Sequence, residues 1–211
     1  MLGFRLPKEY VPALTTPAPA IRLRTHRTDG KTGTYSQDDA RRAAALAIRL
    51  DPEKIFRSGP IVIGVLNPFS VLSADEVCWI EVETELPMKQ FLADGVDRVV
   101  KLADREEYEQ ILARQWPLWR KAHSLGREGF LEALVELSFR GGKVLYLRVF
   151  GTRTEIPLIE SLFAVPAITA EIEPKGVVYA NPKCIVRARV YHSAGEVNYP
   201  DGLWFAEADD I

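Results

Sequence analysis

Short runs in which apolar and polar residues alternate recur along this chain, and a period of two is what a strand with one buried face requires. Val77 to Thr84 (VCWIEVET) is the clearest, with Trp79, Glu81 and Glu83 on one face and Cys78, Ile80 and Val82 on the other. Ile21 to His26 sets Ile21 and Leu23 against Arg22 and Arg24. Ile61 to Leu66 is a wholly apolar strand closed by a turn at Asn67-Pro68, and Val96 to Leu102 is a shorter one. Between them, Ser36 with Asp39 makes a capping-box-like start to an Ala-rich helix that runs to Leu50. Pro87 opens a short helix through Ala93, which Gly95 ends. The order over residues 21–102 is therefore β-α-β-β-α-β, the split βαβ or ferredoxin-like arrangement.

The second half reads differently. Asp104 with Glu107 caps a helix whose Tyr108, Ile111, Leu112, Gln115 or Trp116, and Trp119 keep helical spacing, until Pro117 kinks or restarts it. After Gly126, the run GFLEALVELSF reads as a second amphipathic helix stopped by Gly141-Gly142. Lys143 to Phe150 is a strong strand, followed by a short helix near Ile156 to Ala164. Strands near Ile168–Ile172, Val177–Tyr179 and Cys184–Tyr191 come next, with turns at Asn181-Pro182 and from Ser193 to Gly195. The acidic tail EADDI is expected to fray. The expected fold is α+β. A ferredoxin-like βαββαβ unit (21–102) precedes a helical pair and a second antiparallel strand group (103–211), which either continues that unit or stands beside it. Residues 1–20 carry Pro7, Pro12, Pro17 and Pro19 and so form an extended arm. Phe4, Leu6 and Tyr10 make it too apolar to be idle, so it should pack on a surface.

Composition bounds the function. With 211 residues, 47% hydrophobic and 27% charged, the chain can bury a sizeable core beneath a solvated surface. No apolar run approaches the roughly 20 residues of a membrane-spanning helix. The start, MLGFRLPKEYVP, has no apolar signal region, and two cysteines are too few for a disulfide framework. Cys78 and Cys184 are expected as buried free thiols in a cytoplasmic protein with no membrane contact. The formal charge of −2 conceals blocks: residues 1–60 hold 11 Lys/Arg against 6 Asp/Glu, and residues 113–153 hold 8 against 3. The intervening and final segments are acidic. Either opposite blocks pair across the surface, or they form a basic face for a polyanion.

Several motifs suggest chemistry and then fall short of it. Residues 28–36 (TDGKTGTYS) place Gly-Lys-Thr between a strand-like and a helix-like run, the order of a phosphate-binding loop. The first glycine of that motif should be residue 25, which is Thr25, and the helix should begin at once so that its amides hold the phosphate. Instead Asp29-Gly30 makes a tight turn. His26, His123 and His192 are scattered, no C-x-x-C occurs, and no metal or cofactor is expected. No G-x-S-x-G elbow exists, and Cys78 lies mid-strand, a poor place for a nucleophile. Glu171, Glu173 and Lys175 form an E-x-K at a strand end; with Glu160 they could hold a divalent ion and polarise water, as in a metal-dependent nuclease or other hydrolase. Pro174 inside the motif works against this.

Basic residues give the leading alternative. Arg140 and Lys143 flank Gly141-Gly142, with Arg120, Lys121 and Arg127 before them and Arg22, Arg24, Arg27 and Lys31 in the first block. Such residues can track a phosphate backbone. Cross-strand pairing of Arg22 and Arg24 with the Glu81, Glu83 and Glu85 series is the competing explanation. The element order is similar to that of ferredoxin-type RNA-binding modules, including the repeat-associated subunits of CRISPR complexes, which implies an RNA-contacting role by analogy of fold alone. The stacking aromatics of such modules are not matched, since KVLYLRVF offers only Tyr146 and Phe150. The expectation is a non-catalytic subunit of a larger, nucleoprotein-type assembly, with other protein subunits and nucleic acid as partners. A small metal-dependent nuclease or a stand-alone small-ligand binding protein are the alternatives.

Overall fold

A computed structural model of the chain describes residues 20–57, 59–63, 70–86, 91, 99–119, 130–151, 165–173 and 175–192. Its strands are β1 (Ile21–Arg27), β2 (Thr32–Gln37), β3 (Ile61–Ile63), β4 (Ser70–Leu72), β5 (Val77–Thr84), β6 (Val99–Ala103), β7 (Phe130–Phe139), β8 (Val144–Gly151), β9 (Ile168–Ile172), β10 (Gly176–Ala180) and β11 (Ile185–His192). Two α-helices stand among the described residues, α1 (Ala40–Ala47) and α2 (Arg105–Trp119). None is long and apolar enough to cross a membrane. Nine strands form one sheet in the order β11-β7-β8-β6-β9-β10-β5-β1-β2, and β3 pairs with β4 apart from it. Every pairing in the large sheet is antiparallel except β6 with β9, where Lys101 lies opposite Glu171.

This overturns the ferredoxin-like unit with a helical pair. Thr32 to Gln37, expected as the lead-in to a helix, is a strand that returns antiparallel to β1. The first helix starts later, where the Asp39 carboxylate accepts from the Arg42 amide 2.9 Å away. GFLEALVELSF is not a helix. Ala133, Val135, Leu137 and Phe139 alternate inward from β7 and are buried, while the Glu136 and Ser138 positions are only partly covered. Leu, Glu and Ala favour helices intrinsically, but pairing on both sides with β8 and β11 outweighs that preference. Gly141-Gly142 then turns a hairpin instead of ending a helix. Residues on both sides of position 103 contribute strands to the same sheet. The arm 1–19, the 156–164 helix and the acidic tail lie outside the described residues, as does nearly all of the 87–93 helix.

The sheet divides into two groups whose inner faces share one core. From β7 and β8 come Ala133, Val135, Leu137, Phe139, Leu145, Leu147 and Val149; from the other group come Trp79, Ile168, Ala170, Val178 and Ala180. Helix α1 and the segment after it cover the opposite face of β1, β5 and β10, burying Ala43, Ala47 and Phe56 against Ile21, Ile80, Val82 and Tyr179. Helix α2 covers the outer face of the β7–β8 side, with Tyr108 and Trp119 packed on Leu134. Each fully buried side chain of this size contributes roughly 1.5–3 kcal/mol over its exposed state.

The pairing of β1 with β5 carries one irregularity. His26 faces Trp79 but Arg27 faces Val77, so Cys78 is an extra residue in β5. This bulge moves Cys78 out of the expected Ile80–Val82 face and into the core that contains Trp79.

Candidate functional site

The loop between β7 and β8 docks on the turn between β1 and β2. Gly141 and Gly142 both have positive φ, +80° and +77°. A Cβ on Gly141 would stand 2.1 Å from the Thr28 carbonyl oxygen, so only glycine allows the two turns to approach this closely. The β1–β2 turn is fixed in its own right. Gly30 has φ +81°, the Lys31 amide donates to Asp29 Oδ1 at 3.1 Å, and Thr28 Oγ1 donates to Glu76.

Lys143 emerges from this junction. Its Nζ donates to Thr32 Oγ1 at 3.1 Å and lies 3.3 Å from His26 Nδ1. The same amine sits 5.7 Å from the Trp79 ring centroid. Trp79 is the centre of the group: His26 stacks on it at 4.3 Å and 17°, and Phe139 tilts against it at 5.1 Å.

Glu81 ties the group to β1. Its Oε1 accepts from Trp79 Nε1 at 3.2 Å, and its Oε2 accepts from Arg24 at 2.7 Å. His26 Nε2 is 2.8 Å from Oε1, but the carboxylate lies out of line for a good hydrogen bond. Burial pushes the Glu81 carboxyl up; His26, Trp79 and the Arg24 charge outweigh it and hold the group below its ordinary value. The chemical capability of the arrangement is a fixed ammonium beside an indole and an imidazole, with Arg140 exposed at its edge.

The basic candidates fare unequally. Arg22 pairs with Glu83 at 3.1 Å, and Arg24 pairs with Glu81 and, at 3.7 Å, with Glu83. Arg27 and Lys31 share Asp29 at 2.9 and 3.7 Å. Arg140 and Lys143 have no carboxylate within ion-pair distance among the described residues. Arg120, Lys121 and Arg127 lie outside the described residues.

The E-x-K residues point to separate partners. Glu173 pairs with Lys101 at 2.7 Å, which holds its carboxyl below the ordinary value, and Lys175 pairs with Glu85. Glu171 lies opposite Val177 on β9, and Glu160 is outside the described residues. Among the described residues no three His, Cys, Asp or Glu side chains are grouped to hold a metal ion. Lys31 and Thr32 lead into a strand, so no helix N-terminus stands behind them to cradle a phosphate.

Sequence reasoning missed His26, Trp79 and Thr32 as members of one group. The available signal was the alternation itself, since His26 continues the Arg22–Arg24 face and Trp79 the Glu81–Glu83 face. The two faces meet once β1 and β5 pair in register. No protein-family model, no curated protein and no solved structure matches this chain.

Proposed function

We propose that this chain is a non-catalytic component of a larger assembly that contacts the phosphate backbone of a nucleic acid through Arg140 and Lys143. The observation that carries this reading is the contrast in compensation. Arg22, Arg24 and Arg27 spend their charge on neighbouring carboxylates, whereas Arg140 and Lys143 have none within reach among the described residues. Lys143 is also held in place by Thr32 and Trp79, so little side-chain freedom is lost when an anion binds it. Support for a protein partner comes from the sheet edge. Among the described residues β11 is terminal in the sheet, and its Val186 is 70% exposed.

Phosphate contacts release condensed counterions, so binding weakens as salt rises. Affinity in isolation should be on the order of micromolar or weaker, as for sequence-independent binders. The test is fluorescence anisotropy with single-stranded RNA and DNA at several salt concentrations, on the chain alone and with any co-purifying partner. Replacing Arg140 and Lys143 together with Ala should flatten the salt slope by up to about two units, similarly for different sequences. Replacing Arg22 and Arg24 should leave the slope nearly unchanged, because those charges are already paired. Absence of binding in both settings, or binding indifferent to salt and to Arg140 and Lys143, refutes the proposal.

A further inference from the structure

Cys78 and Cys184 are the only cysteines of the chain, and both are fully buried. They come from distant parts of the sequence, yet one residue pins both backbones. The Asn181 amide donates to the Cys78 carbonyl at 2.8 Å, and the Asn181 carbonyl accepts from the Cys184 amide at 3.1 Å. The Asn181 side chain completes the corner, donating to the Ala74 and Val77 carbonyls at 2.9 and 3.1 Å and reaching Cys184 Sγ at 3.5 Å. Cys184 Sγ is itself 3.5 Å from the carbonyl of Val77, the residue before Cys78. The β5 bulge places Cys78 in the same core cluster as Cys184.

We propose that Cys78 and Cys184 form an intrachain disulfide by exchange with a small-molecule disulfide of the oxidised-glutathione class, making the pair a redox-modifiable clasp between β5 and the start of β11. The two thiols act on each other unequally. Contact with Cys78 holds Cys184 below the ordinary thiol range, against the opposing effect of burial and aided by the Arg140 charge. The same contact, with burial, pushes Cys78 up. Cys184, which lies in the turn before β11 while Cys78 lies within β5, is the first to exchange. It displaces one glutathione thiolate and forms a mixed disulfide. Cys78 then loses its proton and attacks the Cys184 sulfur, releasing the second glutathione. The protein gives up two electrons, the glutathione disulfide is reduced to two thiols, and the two cysteine protons end on them. The bond also removes the Cys78 thiol that donates to the Arg140 carbonyl at 3.6 Å.

The test incubates the whole chain with oxidised glutathione, in buffer and in mild urea that opens the buried corner. Remaining thiols are then alkylated under denaturing conditions, and intact mass and melting temperature are measured. The expected product is a monomer lighter by two hydrogen atoms that takes up no alkylating group. It should melt several degrees higher, because the bond closes a loop of about 100 residues, and revert on reduction. Cys78→Ser should instead stop at a single glutathione adduct on Cys184. Should that variant fail to fold, the wild-type mass and melt decide alone. Two alkylatable thiols under both conditions, disulfide-linked dimers, or an oxidised monomer that melts lower would each overturn the proposal.

Discussion

Replacing Gly141 with Ala tests the docking of the two turns, and Gly142 supplies the control. Both glycines are left-handed, at +80° and +77°, so each Ala variant incurs the same backbone penalty of about 1–2 kcal/mol. The two differ in surroundings. Nothing lies within 4 Å of a Cβ on Gly142, whereas a Cβ on Gly141 meets the Thr28 carbonyl oxygen at 2.1 Å and its carbon at 2.9 Å. An unstrained carbon–oxygen contact is near 3.3 Å, so the loop must retreat by about 1 Å. That retreat draws Lys143 from Thr32 and loosens Phe139 against Trp79, and such forced repacking costs about 1–3 kcal/mol more. Gly141→Ala should therefore destabilise by about 2–5 kcal/mol and Gly142→Ala by about 1–2 kcal/mol. Urea unfolding followed by far-UV circular dichroism reads the difference. With a slope of roughly 2 kcal/mol per molar, the Gly141 midpoint should fall by about 1–2.5 M and the Gly142 midpoint by less than about 1 M. Equal losses, within about 0.5 kcal/mol, would mean that the turns do not press on each other and that the group around Trp79 is assembled some other way.

Two further outcomes follow from buried polar groups. Glu81 is held below its ordinary value, so its stabilisation is complete above the unfolded carboxyl range and is lost as pH falls through the lower folded value. The stability gap between wild type and Glu81→Gln should thus shrink as pH falls below about 4; a gap that does not shrink over that acid range refutes the assignment. Asn181→Ala leaves the Ala74 and Val77 carbonyls without their buried donor. It should cost about 2–4 kcal/mol in thermal or chemical unfolding, and a near-native variant would show that this amide does not organise the corner.

How much of the fold and site was legible depends on the range of each signal. Strands β5 and β9 have the bounds that alternation predicts, β1 differs by a residue at one end, and β8 and β11 by a residue at both, because a half-buried strand writes its period locally. β7 was hidden. Its Ala133, Val135, Leu137 and Phe139 do alternate, but Leu and Glu at neighbouring positions imitate a helical face, and only pairing with β8 and β11 decides between the two. β2 was missed because TGTYSQ is polar and turn-like by composition, and its Tyr35 is buried by tertiary contact. The cross-strand pairing of Arg22 and Arg24 with Glu83 and Glu81 was readable once both strands were assigned. The meeting of Lys143 with His26 was not, because nothing local encodes which loop a hairpin will touch.

The route of the chain through the sheet has a consequence for how the protein can be made and cut. β1, β2 and β5 lie at one end, β6 to β8 lie across the single parallel pairing, β9 and β10 return to the first group, and β11 goes back to the far edge. Neither group is a contiguous fragment, so no single truncation yields half of the sheet with its partners intact. A ribosome must release most of the chain before β5 can pair with β10 or β7 with β11. The first core can close only late, through contacts of long sequence separation, which places this chain among slow folders. Fragments ending before β9 should then be retained by chaperones or aggregate through the unpaired edge of β5.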